Sequence, residues 1–349
     1  MTVCSLSFAG AASSARAALT IAALFAAVSI TANAAFADPH GPHPVRYKTQ
    51  QVGEVSVFYR EAGSESAPVL LLLHGFPSSS HMFRDLMPLL SDRYRVIAPD
   101  FPGFGATVAP PRGAYVYSFD ALAETMEGFL AALEIDQFAV YMFGYGAPVG
   151  FRLALAGPDR VTAVITQSGN AYREGLTPAW SPVRALWAEP SAAKRDALRP
   201  WFTPEMIKWR YSAGVPAERL ARVGPDGPAH DQAIVDRDHE IQLDLFEDYA
   251  SNVAAYPYWQ AYLRAHRPPV LAIWGRNDPF FGPEGARAFK RDAPDAEIVL
   301  LETGHFALET HAFEIAMKTR AFLSRVLAAC RTESAGSGRP SRSAESAAR

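Results

Sequence analysis

The sequence predicts an α/β fold: a mostly parallel central sheet, helices on both faces and an inserted helical cap. Three observations lead there. Short continuous apolar runs alternate with segments of helical spacing, as in sheets covered on both faces. Chemistry-bearing turns follow several of those runs directly. The strand signals stop near Ala171 and resume after Arg264.

In chain order, Val55-Ser56-Val57-Phe58-Tyr59-Arg60 reads as a half-buried edge strand, rich in β-branched and aromatic residues. Val69 to Leu73 and Val96 to Ala98 are buried strands. Phe83 to Leu90 and Ala121 to Leu133 carry helical spacing. Phe138 to Phe143 is a short apolar strand that runs into a sharp turn and a helix. Val161 to Ile165, Val270 to Trp274 and Ile298 to Leu301 give three more buried strands, and Ala312 to Leu327 closes with an amphipathic helix. The organisation expected is a core over 50–170 and 265–329, with a helical cap over 171–264 rich in Trp, Tyr, Pro and charge. A lead-in over 38–49 precedes it. The tail over 330–349 is Ser-, Ala-, Gly- and Arg-rich without periodicity, and is expected to be disordered.

The first residues read as an export signal over 1–37. Arg16 ends a weakly basic stretch, Ala17 to Ile30 is apolar, and Ala35-Phe36-Ala37 fits a small-x-small cleavage site before Asp38. The apolar run is short and Ala-rich against the ~20 residues of a membrane span. A cleaved, periplasmic or secreted protein with no stable membrane association is therefore expected. Cys4 would leave with the signal and Cys330 would remain alone, so no disulfide framework holds the fold.

Charge is nearly balanced, with 33 Lys and Arg against 36 Asp and Glu. No basic stripe suggests nucleic acid, and the partner expected is a small molecule. His40 and His43 lack a carboxylate or Cys framework for metal. The cluster His230, Asp231, Asp236, Asp238, His239 and Glu240 reads as a solvated helix face plus a loop. No metal and no cofactor is expected.

Gly144 is the most informative residue. The segment Phe143-Gly144-Tyr145-Gly146-Ala147 has the strand-turn-helix context of a nucleophile elbow, in which Ser, Asp or Cys is held above a parallel sheet. Here the central residue has no side chain. The rest of a site is in place by order and position. His74-Gly75-Phe76-Pro77 follows the first buried strand and can aim the Phe76 amide into a site, with the Tyr145 amide as a second oxyanion donor. Asp278, after a buried strand, can orient an imidazole. His305 follows the last strand. Elbow, acid and His come in that chain order.

These stretches resemble the α/β-hydrolase fold family, in particular its epoxide hydrolase and haloalkane dehalogenase branch. The resemblance rests on His74-Gly75-Phe76-Pro77, Asp100-Phe101-Pro102-Gly103-Phe104-Gly105, the elbow with Ala147-Pro148-Val149-Gly150, Trp274-Gly275-Arg276-Asn277-Asp278 and Gly304-His305. It covers roughly residues 50 to 329. It implies an Asp nucleophile that forms an alkyl-enzyme ester, hydrolysed by water that a His–Asp pair activates. By position, Asp278 is the acid, His305 the base, Phe76 and Tyr145 the oxyanion donors and Gly144 the substituted nucleophile position. Dehalogenases of this kind carry His-Gly-Asn at the first turn and Trp after the nucleophile. Phe76 and Tyr145 stand there instead, which favours the epoxide hydrolase pattern. That pattern uses cap tyrosines to protonate the epoxide oxygen, and Tyr249, Tyr256, Tyr258 and Tyr262 are the candidates for substrate contact.

Loss of the nucleophile need not harm the fold, because Gly carries no steric cost in a strained elbow. Three functions are compatible with the chain. It is a hydrolase impaired by Gly144, a binding protein that keeps the pocket, or a His305–Asp278 general-base enzyme without a covalent intermediate. A pure binder has no evident need for a base-orienting acid.

Overall fold

Five consecutive apolar residues at Val69–Leu73 form the central strand β3 of the computed structural model, which describes residues 43–336. The sheet has eight strands: β1 Arg46–Val52, β2 Val55–Ala62, β3, β4 Arg95–Pro99, β5 Phe138–Phe143, β6 Val161–Gln167, β7 Val270–Gly275 and β8 Glu297–Leu301. Their spatial order is β1-β2-β4-β3-β5-β6-β7-β8. The β1–β2 and β2–β4 pairs are antiparallel and every other pair is parallel.

Alternate residues of β3 face opposite layers, as strand geometry requires. Leu71 and Leu73 belong to a core with Met126, Phe129, Val149 and Phe151. These come from α1, Phe119–Ala132, and α2, Gly146–Ala156. Leu70 and Leu72 belong to a second core with Phe83, Tyr141, Ile315, Phe322 and Leu323. The last three come from the closing helix, Ala307–Gly336. A strand covered on both sides has no polar face, which is why these strands read as unbroken apolar runs.

Three local expectations are corrected. Val55–Arg60 is not the edge strand, because β1 pairs along its outer side from Arg46↔Glu61 to Val52↔Val55. β1 also takes over the end of the 38–49 lead-in. Its residues, Arg-Tyr-Lys-Thr-Gln-Gln-Val, are exposed or half-buried, so no apolar signal marked them. Phe83–Leu90 is not a regular helix but a 3-10 turn at Ser80–Phe83 followed by successive turns. Pro88 lacks an N–H and disfavours helical backbone at Met87. The closing helix runs past Ala329 to Gly336, with a non-helical His311 near its start.

Between β6 and β7 no strand of the sheet occurs. The insertion carries α3 Ser181–Ala188, α4 Ala192–Asp196, α5 Pro204–Ser212, α6 Asp226–Arg237 and α7 His239–His266. Asp238 caps α7 by accepting from the Glu240 and Ile241 amides. After β7, α8 spans Pro283–Asp292, and the closing helix is α9. Residues 1–37, expected to be an export signal, His40 and the residues beyond Gly336 lie outside the described residues. Among the described residues no helix is long and apolar enough to cross a membrane.

Candidate active site

The residues singled out by the turn motifs converge beyond the carboxyl ends of the parallel strands, where such sheets place their sites. Gly144 sits between β5 and α2 with φ +49°, the left-handed conformation of an elbow. Two residues on, a Cβ at Gly146 would overlap the Leu73 carbonyl oxygen, so the elbow closes onto β3 only with glycine there. Gly144 is different. A Cβ built on it would meet nothing nearer than Gly75 Cα at 3.7 Å and His305 Nε2 at 4.0 Å. The site has room for a side chain at position 144, and that side chain would point at the imidazole.

His305 follows β8 and Asp278 follows β7. Their side chains meet, His305 Nδ1 to Asp278 Oδ2, at 2.8 Å. Asp278 is held on both oxygens. Oδ1 accepts from the Phe280 and Phe281 amides at 2.8 and 3.0 Å, and Oδ2 also accepts from Ser168 Oγ at 2.7 Å. A carboxylate fixed this way can orient one tautomer of the imidazole and stabilise its charged form. The ring is enclosed by Phe143, Phe280, Phe281 and Phe306, with centroids 4.7 to 5.8 Å away. Nε2 has no hydrogen-bond partner among the described residues.

Phe76 and Tyr145 both border the same space, and neither amide donates to a protein acceptor among the described residues. Two free N–H groups above an elbow are what an oxyanion site requires. The Tyr145 ring packs among Phe76, Phe119 and Tyr249. Burial pushes its phenol far above the ordinary range, so it stays protonated. His74 serves the scaffold. Its Nε2 accepts from the Phe101 amide at 2.9 Å, and burial lowers its pKa to about 3.

The enclosed space is small, about 20 Å³, room for roughly one water. Gly144, Phe76, Tyr145 and His305 line it from the core, with Phe280 and Phe281 from the loop after β7. The helical insertion adds Trp180, Trp201, Arg210 and Phe246. A larger surface cleft of about 600 Å³ beside Arg264, Arg267 and Asp292 holds none of the site residues.

The chain belongs to the alpha/beta hydrolase fold family.

The model of that family matches residues 68–200 and 233–312. An uncharacterized hydrolase of Saccharomyces cerevisiae is 45% identical over 278 residues, covering 77% of this chain and 94% of the yeast protein. A haloalkane dehalogenase of Mycobacterium marinum is 27% identical over 261 residues, covering 70% and 80%. Among solved structures, the haloalkane dehalogenase DbeA of Bradyrhizobium elkani superposes with TM-score 0.63 at 21% identity, covering 82% of this chain and all of that one. A bacterial membrane phospholipase A superposes with TM-score 0.60 at 20% identity, covering 89% and 95%. At those identities the solved structures show the shared fold alone.

The tyrosines expected to contact substrate lie outside the lining of this space. None of Tyr249, Tyr256, Tyr258 and Tyr262 borders the space above Gly144. All four lie on α7. Tyr249 and Tyr256 are seven residues apart and share its buried face. Tyr249 packs on Trp180 at 4.6 Å, and the Tyr256 hydroxyl accepts from Asn170 at 3.1 Å. Tyr262 is buried as well, against His266. Tyr258, two positions on from Tyr256, points the other way and is 69% exposed. Ser168 and Arg210 were missed. Ser168 is a single residue in a loop, and Arg210 looks like any charge on a short helix, so no local signal marked either.

The acidic and His cluster of the insertion is dispersed into separate contacts. His230 bonds Ser79, Asp231 accepts from Tyr211, Asp238 caps α7 and Glu240 pairs with Arg195 and Arg199. Among the described residues no three His, Cys, Asp or Glu side chains are grouped to hold a metal ion.

Proposed function

We propose that this chain is a hydrolase-fold protein built for small organic electrophiles, epoxide hydrolase-like in its turn motifs, whose covalent step is missing because Gly144 occupies the nucleophile position. The observation that carries this is the space at Gly144. A Cβ fits there without collision, 4.0 Å from His305 Nε2. The base, its acid and two free amides surround a nucleophile that is not supplied. With a carboxylate there, attack on an electrophilic carbon would form an ester as the carbon–halogen bond breaks and halide leaves, or as the epoxide carbon–oxygen bond breaks and the freed alkoxide takes a proton from water. His305 would then take a proton from the water that cleaves it, and Asp278 would hold the imidazolium.

Epoxides, haloalkanes and esters are all candidate electrophiles. The His-Gly-Phe-Pro turn supports epoxides, and the dehalogenases among the relatives support haloalkanes. The buried tyrosines count against a phenol acid for epoxide opening. The deciding experiment measures wild type, Gly144→Asp and His305→Ala on one panel of the three classes. The expected result is turnover that rises by orders of magnitude in Gly144→Asp.

A second reading is favoured by the cavity of about 20 Å³. A single water there could be activated by His305 directly, with no covalent intermediate. Wild-type activity that needs His305 and falls in Gly144→Asp would establish it. Activity absent from wild type and from Gly144→Asp alike would favour a ligand-binding protein.

We further propose export through a cleaved signal, supported by the apolar run Ala17–Ile30 and the Ala35-Phe36-Ala37 site. N-terminal sequencing of exported material should begin near Asp38, and a start at Met1 would refute this.

A further inference from the structure

One charged group at the site has no use in the chemistry above. Arg210, on α5, is 4% exposed and borders the same cavity as Gly144 and His305. Its guanidinium lies among three rings: Phe280 at 4.7 Å, Phe76 at 4.9 Å and Trp201 at 5.2 Å. Ring faces attract a cation but do not satisfy its N–H groups. Its one hydrogen bond runs from Nη2 to the Trp201 carbonyl at 3.4 Å, and Nε has no partner. Asp231 acts on it through space but accepts from Tyr211 and makes no ion pair with it.

The other inward arginines are served differently. Arg84 pairs with Glu309, Arg95 with Glu61 and Arg320 with Asp92. Buried charge is normally paired because desolvation is costly. Burial lowers the Arg210 pKa to about 10, which leaves it charged at neutral pH. With glycine at 144, the cavity presents a cation and two free amides and no anion of its own, since the Asp278 carboxylate is fully engaged behind His305.

We propose that Arg210 is the anion-binding group of this cavity, and that the pocket takes the carboxylate of a short organic acid. The guanidinium fork suits a carboxylate in two-point contact. A space of about 20 Å³, room for roughly one water, limits the ligand to the smallest acids, which enter only as the aromatic side chains around it move apart. The proposal rests on the reading of this cavity as the ligand site of the hydrolase, and it sets that ligand's charge.

The test reads binding without turnover, through the fluorescence of Trp180 and Trp201 in the cavity wall. The full chain is titrated at constant ionic strength with formate, acetate, the neutral isostere acetamide, and bromide. Formate or acetate should saturate and acetamide should not. Arg210→Met, checked for folding by thermal melting, should bind at least tenfold more weakly. Gly144→Asp should also bind more weakly, because it places a competing carboxylate in the cavity. No saturation by either acid in folded wild type overturns the proposal, as does saturation by bromide alone. Unchanged affinity in folded Arg210→Met overturns it too. If that variant does not fold, Gly144→Asp decides, and unchanged affinity there is fatal. A wild type that binds acetate, with a Gly144→Asp variant that gains no activity, would sink the hydrolase reading and keep the anion site.

Discussion

Gly144 stands directly beneath the His305 imidazole: a Cβ on its backbone would lie 4.0 Å from Nε2, in ordinary contact with Gly75 and with nothing closer. Steric exclusion therefore does not account for the glycine. Its φ of +49° does impose a cost on any other residue. Gly144→Ala should fold and lose about 1–2 kcal/mol, the strain of a left-handed non-glycine residue. Gly144→Asp should lose about 1–3 kcal/mol. Chemical denaturation of both variants checks this, and a stabilised alanine variant would contradict the backbone argument.

The Gly144→Asp variant should also change the chemistry. An alkylating substrate should leave wild type unmodified at this position. In Gly144→Asp with His305→Ala, the ester should accumulate because its hydrolysis is blocked. Intact-protein mass spectrometry reads the adduct. No adduct in the double variant would mean that the site does not support covalent catalysis.

Asp278 accepts four hydrogen bonds, so Asp278→Asn sets an amide NH₂ against donors. The change should cost about 1–3 kcal/mol. In the Gly144→Asp background it should lower turnover by roughly 10³-fold or more, through the wrong imidazole tautomer. A tenfold loss or less would show that the pair does not orient the base.

Ser168 holds Asp278 from behind, with φ +51°. Ser168→Ala should cost about 1–2 kcal/mol by removing a bond to a charged acceptor. Ser168→Gly removes the same bond but relieves the backbone, and should melt above the alanine variant. The reverse order would show that the strain relieved at this φ is smaller than the conformational entropy that glycine adds to the unfolded chain.

Asp231 gives a pH prediction with a definite sign. Burial, the largest influence, pushes its carboxyl up to about 7 despite the hydrogen bond from Tyr211. Between roughly pH 4, its unfolded range, and pH 7 the native state binds more protons than the unfolded state. This contribution is complete below that window and is lost as pH rises through it. The stability of wild type relative to Asp231→Asn should therefore fall by roughly 2–4 kcal/mol from pH 4 to pH 8. His74, held neutral with a pKa near 3, has the opposite sign and is lost as pH falls, but it cancels in the comparison. Urea denaturation at pH 4, 6 and 8 tests this, and a constant difference would refute it.

Seven of the eight strands, the order of the site turns and the missing nucleophile were legible in the sequence. Those signals are local: a strand buried on both faces must be apolar along its length, and a tight turn at its end must carry Gly or Pro beside the functional residue. Hence Val69–Leu73, the Gly144 elbow, Asp278 and His305 were legible from neighbouring residues alone. β1 was not, because an exposed edge strand need not be apolar. Tertiary structure alone decided what depends on rotation and distance. It turned Tyr258 outward on α7 and buried Tyr249 and Tyr256 away from the cavity. It set Ser168 behind Asp278, 110 positions along the chain, and closed the space above Gly144 to about 20 Å³. It also placed Arg210 there without a counter-ion. Such contacts join segments far apart in the chain, and their side chains look ordinary until packing fixes what each one faces.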